Sequence, residues 1–259
     1  MLSVLTIAGS DPSGGAGIQM DLKVFHSLGL HGLSVITSVT SQNTEGVVSV
    51  YPLPVQVVSS QLSVLLKDIV PVTAKIGMVY SSETAKVVYE SLKKLGNNIP
   101  LVLDPIFISS SGKALVEKGN LRDILFPLIS ISSAITPNIY EAETLAGIKI
   151  TDLHSAKEAA RIISDMGPQT VIIKGGHRQG KEMEEVCMIN GNLISISSER
   201  IEGTFHGTGC CFSSALTGFL ALGDDIETAI SKAKEFTLSA IRSAFKAGRG
   251  MKILGVKSG

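Results

Sequence analysis

The sequence predicts an α/β chain built on a mostly parallel sheet covered by helices, and three observations carry that prediction. Short apolar, β-branched runs alternate with segments whose apolar residues recur at helical spacing. Most of those runs are apolar throughout rather than at every second residue, as strands buried on both faces are. No linker, repeat or low-complexity tract interrupts residues 1–259, so a single domain with helices layered on one sheet is expected.

The elements follow in order. Val4–Ile7 is a β-rich run ended by Gly9; with no basic residue ahead of it, it reads as a buried strand rather than a signal peptide. Gly17–Leu28 places Ile18, Leu22, Phe25 and Leu28 on one helix face. Leu33–Ser38 is the next strand. Val47–Tyr51, stopped by Pro52 and Pro54, is a short outlying strand, and Val55–Leu66 reads as helix. The strands Ala74–Ile76 and Leu101–Asp104 bracket a helix, Glu83–Leu95, closed by Gly96. Ala134–Thr136 is a strand stopped by Pro137, which holds the residue before it extended. Ser155–Met166 is a helix with Ser155 or Asp152 as N-cap, closed by Gly167-Pro168. After the strand Thr170–Lys174 the alternation breaks. Glu185–Ile189 and Asn192–Ser197 form a hairpin about Asn190-Gly191. Two helices follow, Gly209–Leu222 and Ile226 to about Ala247.

Composition removes several functions. Lys+Arg 23 cancels Asp+Glu 23, which leaves no electrostatic footprint for nucleic acid or an anionic membrane. A chain that is 44% hydrophobic and 18% charged is not disordered. The longest apolar stretch, around Phe212–Leu222, falls far short of the ~20 residues that span a bilayer. The three cysteines cannot all pair, and Cys210 and Cys211 are adjacent, so a reducing, cytoplasmic setting is expected.

In open α/β sheets ligands bind beyond the carboxyl ends of the strands, so those ends carry the chemistry. The first is followed by Ala8-Gly9-Ser10-Asp11-Pro12-Ser13-Gly14-Gly15-Ala16-Gly17 and then a helix, a place where backbone can approach an anion. It is neither a dinucleotide fingerprint nor a P-loop, because Met20 and Ala16 stand where those motifs need other residues. Gly175–Lys181 imitates a P-loop but meets Glu182 where Ser or Thr is required. Lys174 itself, a cation before two glycines, suits a phosphate tail. The sharpest feature is His206-Gly207-Thr208-Gly209-Cys210-Cys211 ahead of an apolar helix. Gly207, Thr208 and Gly209 offer unpaired amides to an anion, and Cys210 in the first turn is expected to have its thiol pKa lowered by the helix dipole. Asp104 and the Asn138–Glu141 segment, at two more strand ends, suggest Mg²⁺ held through water beside phosphates. No His/Cys/carboxylate cluster has zinc spacing, and there is no Gly-x-Ser-x-Gly elbow.

In their order these segments resemble the ribokinase-like superfamily, and within it the vitamin kinases for hydroxymethylpyrimidine, its phosphate and pyridoxal. The match runs through Ala8–Gly17, Thr40-Ser41-Gln42-Asn43-Thr44, Lys75-Ile76-Gly77-Met78, Asp104-Pro105, Thr136-Pro137-Asn138 to Glu141, Lys174 to His177 and His206 to Cys210, nearly the whole chain. The resemblance implies a three-layer α/β/α fold with a central mostly parallel sheet, the site at its carboxyl edge, and a homodimer. It implies an ATP- and Mg²⁺-dependent kinase phosphorylating 4-amino-5-hydroxymethyl-2-methylpyrimidine and its monophosphate in thiamine biosynthesis. In that scheme Gly207, Thr208 and Gly209 meet the transferring phosphoryl group and Cys210 is the base. Asn138, Asp104 and Lys174 hold ATP phosphates, and Glu141 with Asp104 faces the metal. Asp21, Gln42 and Met78, with Gly9 beside them, form the pyrimidine pocket. The sequence departs from the pattern at Ser110, where many relatives carry a flap Lys, at Tyr140 in place of Pro, and at Cys211 in place of Thr. Three other readings stay open: a pyridoxal or pyridoxine kinase, a non-catalytic pyrimidine or nucleotide sensor, and a thiol acyl-transfer enzyme.

Overall fold

Side chains alternate across each strand, and here that alternation sorts the chain into layers. The computed structural model describes residues 1–95, 99–109, 112–117, 119, 121–175 and 182–257. Its strands are β1 (Ser3–Ser10), β2 (His31–Asn43), β3 (Gly46–Pro52), β4 (Thr73–Ile76), β5 (Leu101–Leu103), β6 (Ala134–Ile135), β7 (Thr170–Ile173), β8 (Glu182–Ile189), β9 (Asn192–Glu199), β10 (Phe205–His206) and β11 (Lys252–Ile253). Its helices are α1 (Gly17–Ser27), α2 (Val55–Asp68), α3 (Ser82–Lys93), α4 (Leu121–Ile131), α5 (Ile139–Ala146), α6 (Leu153–Ser164), α7 (Thr208–Ala221) and α8 (Ile226–Arg242).

One sheet runs β3-β2-β1-β4-β5-β6-β7-β8-β9, and β10 and β11 pair separately. From β2 to β7 every neighbour is parallel; β3, β8 and β9 are antiparallel additions at the two edges. Along β5, Leu101 and Leu103 join the core under α2–α6, while Val102 joins the core under α1, α7 and α8. The same alternation holds in β7, where Val171 and Ile173 face one layer and Ile172 the other. The fold is therefore three-layered α/β/α, as expected. The chain steps from β1 outward to β2 and β3, then returns to place β4 on the other side of β1. That reversal opens a crevice at the carboxyl ends of β1 and β4.

The structure refines several expected elements. β2 runs on to Asn43 because its polar end pairs with β3, which the apolar pattern could not show. Asn190 (φ 48°) and Gly191 (φ 84°) make the expected tight turn, and Asp152 rather than Ser155 caps α6. Two helices were not anticipated. α4 carries Pro127 inside it, ordinarily a breaker, yet Ile124, Leu125, Leu128 and Ile129 bury a continuous stripe. α5 is only two turns long and starts at the Asn138 cap. α8 ends at Arg242, short of Ala247. Ser110, Gly176, His177 and the remainder of the P-loop-like segment through Lys181 lie outside the described residues.

Candidate active site

A cleft of about 630 Å³ lies along the carboxyl ends of the parallel strands. Gly9, Gln42, Met78, Asp104, Asn138, Glu141, Lys174, Gly207, Thr208, Gly209 and Cys210 all line it, so topology brings together residues spread over two hundred positions.

Asp21 is the exception among the expected residues. It lies on the buried face of α1, fully enclosed, and does not reach the cleft. Its carboxylate accepts hydrogen bonds from Thr6 Oγ1 (2.6 Å), Ser214 Oγ (2.6 Å) and Lys75 Nζ (2.6 Å). Lys75 is equally buried, in the middle of β4, yet forms part of the cleft floor. Burial alone would lower its pKa, but Asp21 outweighs that and raises it, so Lys75 is a fixed positive charge. Asp21 thus holds a cation beneath the pocket rather than touching a pyrimidine.

At the acceptor end, Gly9 and Met78 touch so closely that a Cβ on Gly9 would lie 2.9 Å from the Met78 sulfur. The glycine-rich loop was expected to present its amides to a ligand. Asp11 takes them instead. Its carboxylate accepts from Ser13 N (2.8 Å), Gly15 N (3.1 Å), Ala16 N (2.8 Å) and Ser13 Oγ (2.7 Å), and contacts His206 Nε2 at 2.8 Å. Burial works against ionisation, but these partners hold the Asp11 carboxyl at about 2.

At the other end, Gly207 (φ 85°) is the left-handed N-cap of α7. The first-turn amides of Thr208, Gly209 and Cys210 have no intrahelical acceptor, and all three residues border the cleft. Lys174, just past β7, lies 2.8 Å from Asp104 Oδ1, just past β5. Asp104 also accepts from Thr136 Oγ1 (3.1 Å) and Ser213 Oγ (3.1 Å); against the effect of burial, Lys174 and Lys75 keep its pKa low. A Cβ on Gly209 would sit 3.1 Å from Lys174 Nζ, so the glycine keeps the helix start close to that lysine.

Cys210 departs from expectation in one respect. Burial pushes its thiol up to about 11, only partly opposed by Lys75. The helix-end effect, worth ~1 kcal/mol when exposed, is outweighed by desolvation. At neutral pH Cys210 is therefore a thiol, not a standing thiolate. Cys187 and Cys211 are pushed up to about 12 by burial and behave as core residues, and all three cysteines are unpaired.

Asn138 and Glu141 form a reciprocal capping box on α5: Glu141 N donates to Asn138 Oδ1 (2.9 Å) and Asn138 N to Glu141 Oε2 (2.8 Å). Asn138 is thus the cap of α5 as well as part of the cleft wall. Glu141 is buried, and burial raises its pKa to about 7 despite the attraction of Lys174. A buried carboxylate so raised calls for a cation. Among the described residues no three His, Cys, Asp or Glu side chains are grouped to ligate a metal. Two hard carboxylates, Glu141 and Asp104, fit Mg²⁺, which keeps waters and shares its sphere with phosphates rather than needing a protein cage.

Sequence reasoning missed four contributors: Lys75, His206 as a side chain, Glu185 and Lys234. Glu185 on β8 lies 3.0 Å from Lys234 Nζ on α8, outside hydrogen-bond geometry, and Lys234 donates instead to the Ile196 carbonyl (3.0 Å). Both line the far end of the cleft among Ile201, Phe205, Leu238 and Ile241. The signal for Lys75 was present: a lysine between Ala74 and Ile76 in a strand expected to be buried.

The sheet order, the crevice at its reversal and a glycine-capped helix start beside a lysine–aspartate pair define a ribokinase-like protein. The sequence model of the phosphomethylpyrimidine kinase family matches residues 11–255. The chain is 40% identical over 254 residues to a hydroxymethylpyrimidine/phosphomethylpyrimidine kinase of Haemophilus influenzae, covering 95% of this chain and 93% of that one. It is also 40% identical over 252 residues to a thiamine biosynthesis bifunctional protein of Geobacter sulfurreducens, covering 96% of this chain and 51% of the relative. Among solved structures, the pyridoxal kinase of Staphylococcus aureus in complex with AMP-PCP superposes with a TM-score of 0.90 at 31% identity, covering 100% of this chain and 94% of the other. The chain belongs to the phosphomethylpyrimidine kinase family.

Proposed function

We propose that residues 1–259 form one kinase domain that uses ATP to phosphorylate the hydroxymethyl group of 4-amino-5-hydroxymethyl-2-methylpyrimidine, and then the resulting monophosphate, in thiamine biosynthesis. One observation carries this reading. A single cleft holds Gln42 and Met78 at the ends of β2 and β4, Cys210 with the α7 amides at its centre, and Lys174 toward β7. An acceptor, a phosphoryl group and a nucleotide can lie there in line.

Gln42 can both donate to and accept from an aminopyrimidine edge, and Met78 and Gly9 supply a narrow apolar wall. The nucleotide runs toward β8, where Glu185 and Lys234 offer an acceptor and a donor in an otherwise apolar slot. Glu141 and Asp104 would hold Mg²⁺, which would supply charge neutralisation beside the phosphates. Lys174 and the amides of Thr208 and Gly209 meet the charge on the transferring group, which is most of what phosphoryl transfer asks of a protein. The substrate hydroxyl oxygen attacks the γ-phosphorus, the bond to ADP breaks with its electron pair leaving on ADP, and the hydroxyl proton passes to the Cys210 thiolate. Because the thiol lies near 11, the first phosphorylation draws on a small thiolate fraction that grows with pH. The second acceptor is a phosphate, whose last pKa of about 6 leaves it ionised without a base. A homodimer in the cytoplasm completes the reading. The free, buried cysteines suit such a compartment, and no helix among the described residues is long and apolar enough to cross a membrane.

ADP release with each pyrimidine, with pyridoxal and with neither tests this. Both pyrimidines are expected to support turnover in Mg²⁺, with kcat/KM for the alcohol rising as pH increases from 7 to 9. Cys210→Ala is expected to lower turnover of the alcohol by about 10²–10⁴-fold and of the monophosphate far less. Equal losses on both would remove Cys210 as base. Preference for pyridoxal would change the substrate, and binding without ADP release would leave a sensor.

A further inference from the structure

We propose that Asp11 and His206 form a latch that sets the spacing between the acceptor end and the phosphoryl end of the cleft, which makes His206 a positioning residue for transfer. The inference rests on the phosphotransfer reading above and adds a positioning role to two residues that border the cleft.

The two ends belong to separate pieces of chain, the loop after β1 and the turn before α7. They meet through glycine. A Cβ on Gly207 would overlap the Gly15 carbonyl oxygen, and one on Gly15 would overlap the His206 ring. Gly207 adds a φ of 85°, so the crossing tolerates no side chain at that point. Backbone packing of this kind fixes closeness but not sliding. The Asp11–His206 contact, joining residues 195 apart in sequence at 2.8 Å, supplies the missing directional bond. Asp11 is itself rigid, because its carboxylate gathers the amides of Ser13, Gly15 and Ala16. His206 is held from behind by the pairing of β10 with β11, where it stands opposite Ile253.

The ring's other nitrogen shows what this orientation costs. His206 Nδ1 is buried without a hydrogen-bond partner among the described residues. A buried histidine kept for stability alone ordinarily uses both nitrogens. Here the ring is oriented by Asp11, and a buried polar atom is left unsatisfied to achieve it. The residue after the ring is the N-cap of α7, so a shift of His206 moves the amides of Thr208 and Gly209 relative to Gly9 and Met78. A displacement of about 1 Å between reacting groups costs on the order of 10²-fold in rate.

The test is steady-state kinetics on wild type, His206→Ala, His206→Gln and Asp11→Asn, with thermal unfolding and calorimetric ADP binding on each. His206→Ala is expected to lower kcat by about 10–100-fold while both KM values move by less than about threefold. His206→Gln, whose amide nitrogen can occupy the place of Nε2, is expected to recover most of the loss. A kcat unchanged in folded His206→Ala, a loss confined to KM, or a Gln variant as poor as Ala would each overturn the latch. If His206→Ala does not fold, Asp11→Asn, nearly isosteric and lacking the charge, carries the same expectation of a kcat loss with ADP binding kept. Wild-type protein that binds ADP but releases none with any acceptor overturns the kinase reading and the latch together. Turnover by wild type beside an unimpaired Asp11→Asn overturns the latch alone.

Discussion

Two lysine–aspartate pairs lie side by side in this sheet and have different duties. Lys75 and Asp21 meet at 2.6 Å with both side chains 0% exposed; Lys174 and Asp104 meet at 2.8 Å with the lysine 15% exposed. The first lysine sits inside a strand, β4, and its partner comes from a helix packed across it. The second pair sits just past the ends of β7 and β5, where the strands stop and the cleft begins. Position along the strand decides the difference. A charge in mid-strand is compensated chiefly by the layer packed on it, so this pair is fully buried and the lysine reaches the cleft only as part of its floor. A charge at the strand end keeps one side open, so Lys174 borders the cleft while paired with Asp104, and the proposed function has it meet a phosphate there.

That contrast can be broken by experiment. The largest effect is expected at the sealed pair. Asp21→Ala leaves Lys75 charged, buried and unpaired, and should cost about 3–5 kcal/mol in urea denaturation. At the open pair, Lys174→Ala should reduce kcat/KM for ATP by about 10²–10³-fold with a smaller loss of stability, because Thr136 and Ser213 still bond Asp104. If Lys174→Ala were as unstable as Asp21→Ala and normally active once folded, the two pairs would be equivalent and the distinction void.

A smaller effect concerns Glu141, which borders the open pair. Its carboxyl is raised to about 7 from an unfolded value of 4.5. The unfolded chain therefore loses this proton first, and Glu141 withdraws stability progressively between about pH 4.5 and 7, by up to about 3 kcal/mol above that range. Glu141→Gln should flatten this part of the stability–pH profile, gaining on wild type at pH 8 relative to pH 5. Added Mg²⁺ should stabilise wild type at pH 8 more than the Gln variant.

The Glu141 case also shows how far the sequence could be read. Asn138 and Glu141 stood out at a strand end, and in the structure they cap α5 and border the cleft. Which face of the motif looks outward was not in the sequence. Asp21 was misplaced for a related reason. It shares a helix face with Ile18 and Phe25, which marks it as buried, but its value to the molecule became visible only when Lys75 was found opposite. α4 was missed because a proline ordinarily ends a helix, and only the buried stripe around Pro127 reveals why this one persists.

Local chemistry was enough to determine the alternation of strands and helices, the Asn190-Gly191 turn, the glycine-marked loops and the glycine-capped start of α7, because each depends on neighbours within a few residues. Tertiary structure alone decided that Asp11 would satisfy the first loop's amides, that burial would raise the Cys210 thiol to about 11, and that His206 would meet a carboxylate 195 residues away. Those outcomes depend on desolvation and on contacts between distant segments. Neither has a value until the chain is closed around the group that feels it.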